Sequence, residues 1–154
     1  MNTSKTEQRV LLIRKAIDDE VPAIARLYRR TAGQAWDFLC PHTPDEDLAH
    51  FGQALTKGPV WIAVRGEAIV GFCAVRRGWI DHFYVAPEEQ GRGVGQRLIK
   101  RALKGRRRVR LWTFQRNARS RRFYALQGFR EVLLTDGQAN EEKEPDVLLE
   151  WRRP

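Results

Sequence analysis

A glycine-rich segment has the composition of an anion-binding turn. It reads Gln90-Gly91-Arg92-Gly93-Val94-Gly95 and lies between a predicted strand and a predicted helix. Glycines let a ligand approach the backbone closely, and the first turn of a helix presents N–H groups that have no partner within the helix. Such groups favour an anion, and a pyrophosphate is the natural ligand. The alternative is a glycine-rich turn that binds nothing.

The segment departs from two common nucleotide-binding patterns. A dinucleotide-binding turn needs a third glycine at the position of Gln96 and an acidic residue about twenty positions after the first glycine. A P-loop needs Lys and then Ser or Thr after its glycines, and this chain has Gln96 and Arg97 there. Both nucleotide folds are therefore excluded, and the phosphate-binding turn must belong to another architecture.

Hydrophobic periodicity predicts the elements that position this turn. Strand patterns cover 10–14, 60–66, 68–77, 79–85, 108–114, 129–134 and 146–151. Helical patterns run from a cap at Asp18 to about Gly33, from Thr43 or Asp45 to Gly58, from Gly93 to Gly105, and from Asn117 to Leu126. Short turns join three consecutive strands into an antiparallel meander. This order describes an α/β (α+β) fold with one parallel crossover around the helix after the glycine-rich turn.

The composition predicts one globular domain. Of the 154 residues, 42% are apolar and 31% are charged, which allows a core to form without disulfides or metals. We expect a flexible N-terminus over 1–8 and a single domain over 9–154. The two cysteines, Cys40 and Cys73, are expected to be buried free thiols. Because the chain has no apolar signal core and no long apolar run, we expect it to be cytoplasmic, without membrane attachment.

The positive charge is concentrated in one segment. The net charge is +9, and residues 92 to 130 contain fourteen basic and no acidic side chains. Any site for a polyanion should therefore lie in this segment. Candidates for contacting phosphates are Arg92, Arg97 and the cluster 106–108.

Two motifs together resemble the GNAT (GCN5-related N-acetyltransferase) superfamily. The family's pyrophosphate loop, Gln/Arg-x-x-Gly-x-Gly/Ala, is matched by Gln90, Gly93 and Gly95. A second block, Asn117-x-x-Ser120-x-x-Phe123-Tyr124-x-x-x-Gly128-Phe129, is similar to a family helix and turn, with Ser120 at a position where Ala is usual. The resemblance extends from about residue 10 to residue 151. It implies a mixed, mostly antiparallel sheet of six to seven strands, about four flanking helices, and a splayed strand pair that accommodates CoA.

The resemblance also implies a co-substrate, acetyl-CoA, and the residues that bind it. Backbone groups of the strand that contains Phe83 and Val85 would pair with the pantetheine arm, and the N–H groups of the turn would hold the pyrophosphate. The implied cofactor-binding residues are Phe83, Tyr84, Val85, Gln90, Gly91, Arg92, Gly93, Val94, Gly95, Asn117 and Tyr124. The cluster 106–108 is the candidate for contacting the 3′-phosphate of CoA.

The implied reaction is direct attack of an amine on the acetyl thioester, and it needs an acid and a base. The resemblance places Tyr124 beside the thioester sulfur, where its protonated hydroxyl can donate to the departing thiolate. Asp81, on the strand 79–85, is the candidate base, and an inert structural aspartate is the alternative. Strand alternation places His82 on the opposite face, unless a bulge intervenes. No metal site is expected, because the three histidines are scattered in the sequence.

The acceptor is predicted only as a primary amine, either of a small molecule, an amino acid or a peptide N-terminus. Segments 36–43 and 135–142 are the candidates for binding it, and a solvated hairpin tip is the alternative for the second. Two other functions remain open at this stage. One is a nucleic-acid-binding module that uses the basic segment with its aromatic residues, and the other is an acyl-CoA-binding domain without catalysis. A homodimer is possible.

Overall fold

The computed structural model describes residues 10–35 and 42–154, which contain seven strands and four α-helices. In chain order they are β1 (Leu11–Lys15), α1 (Val21–Ala35), α2 (Pro44–Lys57), β2 (Val60–Arg65), β3 (Ala68–Arg76), β4 (Trp79–Val85), α3 (Val94–Leu103), β5 (Arg108–Phe114), α4 (Ala118–Leu126), β6 (Arg130–Leu134) and β7 (Asp146–Arg152). Short 3₁₀ turns precede α1 and follow β4.

The strands form one mixed sheet in the order β1-β2-β3-β4-β5-β7-β6. Every neighbouring pair is antiparallel except β4 and β5, which are parallel and are connected through α3. The fold class predicted from the sequence is confirmed, including the meander, the single parallel crossover and the count of elements. The predicted boundaries agree to within about two residues, and the cap of α2 is Thr43, whose hydroxyl accepts a hydrogen bond from the Glu46 N–H.

Strands β4 and β5 touch only at their beginning. Trp79 pairs with Arg110, and the Arg110 N–H donates to the carbonyl of Gly78 at 2.9 Å. Beyond this point no residue of β4 pairs with β5 along the described strands, so the two strands separate and leave a gap in the middle of the sheet. This gap is the splayed strand pair that the family resemblance implies.

The helices cover both faces of the sheet. Gly71 of β3 faces α3, and a Cβ atom built there would lie 2.8 Å from Leu98 Cδ1, so any side chain at this position would force Leu98 to shift. The next residue, Phe72, projects to the opposite face. There its ring centroid lies 5.5 Å from that of Phe51 of α2. The core therefore continues on both sides of the strands that border the gap.

The N-terminal tail and the two cysteines were also the subject of predictions from the sequence. The expected flexible tail, 1–8, and Cys40 lie outside the described residues, whereas Cys73 is fully buried as a free thiol. Burial raises the pKa of the Cys73 thiol, so the thiol stays protonated and unreactive. Among the described helices, none is long and apolar enough to cross a membrane.

Candidate active site

A cavity of about 900 Å³ opens where β4 and β5 separate. It is bounded by both strands, the glycine-rich turn and α4. Of the residues that the sequence singled out, it is lined by Asp81, Phe83, Tyr84, Val85, Gln90, Gly91, Gly93, Gly95, Asn117 and Tyr124. Arg92 and Val94 are not part of the lining. Two motifs that are separated in the sequence thus meet at one cavity.

The glycine-rich turn leads directly into α3. Gly91 and Gly93 have φ values of +77° and +85°, in a region that side chains other than glycine rarely adopt. Gly93 is the N-cap of α3, and its carbonyl accepts the first helical hydrogen bond from the Arg97 N–H at 3.1 Å. The N–H groups of the first turn, from Val94 to Gln96, therefore have no partner within the helix. They form the end of a helix that favours a negatively charged ligand.

Gly95 allows this turn to approach α4. A Cβ atom at Gly95 would lie 3.4 Å from the ring of Phe123 and 3.5 Å from that of Phe83. Those two rings stack on each other with centroids 5.5 Å apart. An alanine at position 95 would therefore make ordinary van der Waals contact with these rings, and a side chain longer than that of alanine would meet them.

Gln90 has a positioning role. Its Nε2 donates to the carbonyl of Val85 at 3.0 Å, which ties the turn to the end of β4. The Ala86 N–H donates to Val70 of β3 at 2.8 Å, so strand alternation directs the backbone groups of Phe83 and Val85 away from β3 and toward the gap. These are the two residues whose backbone groups were predicted to pair with the pantetheine arm.

Asn117 also has a structural role. Its side-chain oxygen accepts a hydrogen bond from the Ser120 N–H at 3.1 Å and caps α4, as the sequence predicted. Because Asn117 and Ser120 both line the cavity, the cap holds the start of α4 against it.

Tyr124 is buried in α4 and lines the cavity. Its ring packs between the rings of Phe83, Phe123 and Phe129, with centroid distances of 5.9, 5.4 and 5.4 Å. Burial raises the pKa of its hydroxyl, with smaller contributions from Cys73 and Tyr84. The hydroxyl has no hydrogen-bond partner among the described residues, and none of those residues holds a buried polar atom without a partner, so the hydroxyl borders the cavity. A protonated donor therefore faces the gap.

A bulge in β4 changes the predicted alternation of side chains. On β3, Ala74 pairs with His82. The next β3 residue, Val75, pairs with Ile80, so Asp81 is an extra residue in β4. Ile80 and His82 consequently lie on opposite faces, although simple alternation places them together.

Asp81 occupies the bulge at the rim of the cavity. It is exposed, and its carboxylate accepts hydrogen bonds from Arg76 Nε at 2.9 Å and Nη2 at 3.2 Å. The base hypothesis assumed a carboxylate in an aromatic environment, whereas Asp81 at the bulge is exposed and paired with Arg76. Its role as a base stays a prediction.

His82 belongs to the lining of the same cavity as Tyr124, although strand alternation predicts that its side chain lies on the opposite face from Phe83. It shares the α1/α2 face with Tyr84, as alternation predicts, but the separation of β4 from β5 opens that face to the cavity as well. Burial lowers the pKa of His82 to about 4, and His50 adds to this effect. His82 is therefore neutral at neutral pH.

Two of the basic residues predicted to contact phosphates lie away from the glycine-rich turn. Arg97 Nη1 donates to the Leu11 carbonyl at 2.8 Å, which turns this side chain toward β1. Arg106 follows the C-terminal end of α3, and the whole helix, about 15 Å long, separates it from the turn. The cluster 106–108 therefore lies away from the pyrophosphate position, and its contact with the 3′-phosphate of CoA stays a prediction. The cavity lining includes Arg119 of α4, which the sequence did not indicate because Arg119 lies at an unspecified position of the second motif.

Comparison with known proteins identifies the family. The Acetyltransferase (GNAT) domain family matches residues 56–131. An uncharacterized N-acetyltransferase from Archaeoglobus fulgidus is 31% identical, in an alignment that covers 77% of this chain and 92% of the relative. The chain belongs to the GNAT family of acetyltransferases.

Two further comparisons agree with the assignment of this chain to the GNAT family. Peptidyl-lysine N-acetyltransferase YjaB from Salmonella typhimurium is 25% identical, with 77% of this chain and 82% of the relative covered. The solution structure of apo YjaB from Escherichia coli superposes with a TM-score of 0.74 at 23% identity, covering 92% of this chain and 97% of that one. The structural likeness shows the shared fold, and the sequence relationship shows an acetyltransferase.

A second cavity of this GNAT chain, of about 380 Å³, adjoins the first at His82. Its lining contains four acidic residues: Glu46, Asp47, Glu141 and Glu142. Asp47 is neutralised by Arg29, with Nη2 and Oδ2 2.6 Å apart. Glu141 comes from the segment 135–142, where it lies 3.2 Å from His42 Nε2. The acidic hairpin therefore folds against α2, and the part of segment 36–43 before His42 lies outside the described residues.

The positive charge of the GNAT chain is partly neutralised within the fold. Ion pairs join Arg110 to Glu150, Arg116 to Glu144 and Arg121 to Glu131, with N···O distances of 2.7, 2.8 and 2.8 Å. In each pair the acidic partner belongs to the C-terminal part of the chain, after residue 130. The basic segment is therefore less available to a polyanion than its sequence suggests.

The burial of His82 predicts a dependence of the stability on pH. In the unfolded chain the His82 pKa is about 6.5, whereas in the folded chain it is about 4, so protons favour unfolding between these values. Between pH 7 and pH 5, we expect the free energy of unfolding of the wild type to fall. The fall should be larger by roughly 1–2 kcal/mol than the fall in the variant His82→Gln. Urea unfolding at both pH values measures this difference. The control variant His42→Gln should lose at least as much stability between the two pH values as the wild type. If His82→Gln also lost as much as the wild type, the prediction would be contradicted.

Proposed function

We propose that this GNAT acetyltransferase transfers the acetyl group of acetyl-CoA to the side-chain amine of lysine in a peptide. The observation that carries the proposal is one cavity bordered by unpaired helix N–H groups, by an open strand edge and by the Tyr124 hydroxyl. The helix N–H groups suit an anion, the strand edge suits an extended arm, and the Tyr124 hydroxyl suits a leaving group that needs a proton.

The donor set of the cavity fits acetyl-CoA. The N–H groups of residues 94–96 suit a pyrophosphate, and the backbone of Phe83 and Val85 offers pairing groups to an amide-containing arm. Arg119, exposed on the cavity wall, adds a positive charge for a phosphate. When bound, acetyl-CoA supplies an acetyl group activated as a thioester.

Tyr124 supplies the acid. Its hydroxyl is kept protonated by its buried environment and borders the cavity, where it donates a proton to the sulfur as the carbon–sulfur bond breaks. Neutralising the developing thiolate lowers the barrier to its departure. The presence of this donor favours catalysis over acyl-CoA binding alone.

The second cavity supports a cationic acceptor. Glu46, Glu141 and Glu142 line it, and they attract an ammonium group toward His82, where the two cavities meet. The similarity to peptidyl-lysine N-acetyltransferases favours lysine among the possible amines. A lysine side chain is long and thin enough to enter from the surface while its peptide remains outside.

The acceptor class can be tested with three matched substrates. The first is an N-terminally blocked peptide with one lysine, the second is the same peptide with a free N-terminus and Arg in place of lysine, and the third is a small primary amine. We expect CoA thiol release and an acetylated product with the first. Preferred turnover of the second or third would contradict a lysine acceptor and leave acetyl transfer intact, and failure of all three would contradict the proposed function.

The acidic cavity makes a separate prediction. The double variant Glu141→Gln/Glu142→Gln should raise KM for the lysine peptide about threefold to tenfold at low salt, with little change in kcat, because it removes attraction and leaves the reacting groups in place. Steady-state kinetics at low and high salt measure this effect, which salt should weaken. Glu67→Gln, in the exposed turn between β2 and β3, removes a charge away from the cavity and serves as the control. An equal rise of KM in that control would sink the assignment.

A further inference from the structure

His82 stands at the boundary between the two cavities. It lines the acetyl-CoA cavity and the acidic cavity, as well as a third cavity beside Arg76 and Lys57. Its ring is held by aromatic neighbours, with centroid distances of 5.9 Å to Tyr28, 5.0 Å to Phe51 and 6.3 Å to Tyr84. The imidazole is therefore fixed in one place between the donor side and the acceptor side.

One nitrogen of His82 is bonded to a second histidine. His82 Nε2 and His50 Nε2 lie 2.7 Å apart, within hydrogen-bond distance. His50 belongs to α2, is exposed, and lines the second and third cavities but not the first. The pair thus connects the wall of the acetyl-CoA cavity to solvent.

The other nitrogen of His82 is available. His82 Nδ1 has no hydrogen-bond partner in the described part of the chain, where no buried polar atom is left unpaired, so Nδ1 contacts accessible space. A neutral imidazole has one donor nitrogen and one acceptor nitrogen. When His82 Nε2 donates the hydrogen bond to His50 Nε2, His82 Nδ1 therefore has a free lone pair. That lone pair can take a proton from an amine.

The charged and titratable groups around the pair come from each packed element. They are Tyr28 of α1; His42, Glu46, Asp47 and Lys57 of α2 and its cap; Arg76 of β3; Asp81 and Tyr84 of β4; and Glu141 and Glu142 of the hairpin. Arg29 neutralises Asp47, and Arg76 neutralises Asp81. Glu46 and Glu141 share a single partner, His42, at 3.0 and 3.2 Å, so Glu46, Glu141 and Glu142 together keep a net negative charge near His50. A proton that leaves His82 therefore moves toward negative charge.

We propose that His82 and His50 form a proton relay that removes a proton from the acceptor ammonium and passes it to solvent. The inference rests on the proposed function. His82 is the catalytic residue of the pair, because it lines the cavity, and His50 acts through it.

The proton transfers balance. The ammonium gives one proton to His82 Nδ1, His82 Nε2 gives its proton to His50 Nε2, and His50 Nδ1 releases one to water. The neutral amine then forms the carbon–nitrogen bond as the carbon–sulfur bond breaks, and the sulfur takes the proton of Tyr124. After attack, the substrate nitrogen carries one proton more than the amide needs, and this proton goes to the Tyr124 oxygen. His82 Nδ1 then loses its proton to water, the proton on His50 Nε2 returns to His82 Nε2, and His50 Nδ1 takes a proton from water. These transfers restore the starting tautomers. The net products are the amide, the CoA thiol and one proton in solvent.

The pH profile of kcat/KM tests the relay. A lysine amine has a pKa near 10.4, so it is almost fully protonated at neutral pH. We expect His82→Gln and His50→Ala to lose about a hundredfold in kcat/KM near pH 7 and to approach the wild-type value near pH 10, where the free amine needs no base. Added imidazole should partly restore His50→Ala, because the site of His50 is exposed.

The competing base is tested in the same experiment. If Asp81→Asn shows the pH-dependent loss and His82→Gln does not, the base is Asp81 and the relay is overturned. A loss in the histidine variants that is equal at all pH values also overturns it, because a merely structural role predicts that pattern. Wild-type protein that releases no thiol with any lysine peptide overturns the proposed function, and the relay with it.

A second readout does not depend on turnover. In ¹⁵N-labelled wild-type protein, we expect a ¹⁵N–¹⁵N coupling across the hydrogen bond between the two Nε2 atoms, and its disappearance in His50→Ala. Absence of this coupling in the wild type, with both imidazoles neutral, would overturn the relay and leave the acetyltransferase function standing.

Discussion

Tyr124→Phe is expected to lower kcat about a hundredfold while leaving the affinity for acetyl-CoA nearly unchanged. The substitution removes one hydroxyl and keeps the ring that packs against Phe83, Phe123 and Phe129. The loss reflects the missing proton donor, and general acids commonly contribute a hundredfold or more. Steady-state kinetics and calorimetric titration with acetyl-CoA measure the two quantities separately.

The controls for Tyr124→Phe are the thermal unfolding midpoint and the binding constant. Because the hydroxyl has no partner in the described residues, its removal leaves no unpaired polar group, and the stability should not fall. An unchanged kcat would show that the thiolate leaves without this donor. A reduced kcat with an equally weakened affinity would assign Tyr124 to binding instead.

Gly93→Ala is expected to weaken acetyl-CoA binding at least about tenfold. Gly93 has φ +85°, and alanine in this conformation is strained by about 1–2 kcal/mol. The turn can relieve the strain only by rotating, and rotation misdirects the N–H groups of residues 94–96. A Cβ atom at Gly93 meets nothing within 4 Å, so the effect is conformational and not steric. Calorimetric titration with acetyl-CoA measures the change.

Gly105→Ala provides a matched control at the other end of α3. Gly105 has φ +76°, and a Cβ atom there also meets nothing within 4 Å. Both variants should lose a similar stability, since both strain a glycine next to the same helix. Only Gly93→Ala should lose affinity for acetyl-CoA. Equal affinities in the two variants would show that the turn does not hold the pyrophosphate.

Local signals explain why most of the fold was predictable. Periodicity located each strand and helix that the structure describes. Caps such as Thr43 and Asn117 marked where helices begin, because each side chain accepts a hydrogen bond from the N–H three residues later, which has no backbone partner. The separation of β4 from β5 was implied only by the family resemblance, since no local pattern encodes the distance between strands. The donor side of the site followed from the same two motifs.

The acceptor side depended on long-range contacts. A bulge at Asp81 breaks strict alternation, and strand periodicity alone does not locate it. His50 and His82 are 32 positions apart and meet only because α2 packs on the face of β4 that carries His82. Arg119 lies at an unspecified position of its motif. Each of these features arises from packing between elements and leaves no spacing signal in the chain.

The basic segment has more than one role. Three of its arginines pair with acidic residues of the C-terminal part, Arg97 ties α3 to β1, and Arg101 lies 4.1 Å from the ring centroid of Trp61. These contacts hold the sheet and α3 together around the cavity. The segment therefore contributes to the scaffold as well as to the proposed phosphate site.

The central claim is that acetyl-CoA occupies the gap between β4 and β5, with its pyrophosphate on the first turn of α3. An NMR titration of ¹⁵N-labelled protein with acetyl-CoA tests it most directly. We expect saturable shifts of the amides of Phe83, Val85 and residues 93–96. Shifts confined to 106–108 and the outer face of α3, reproduced by single-stranded RNA and abolished by salt, would contradict it and favour a nucleic-acid-binding module.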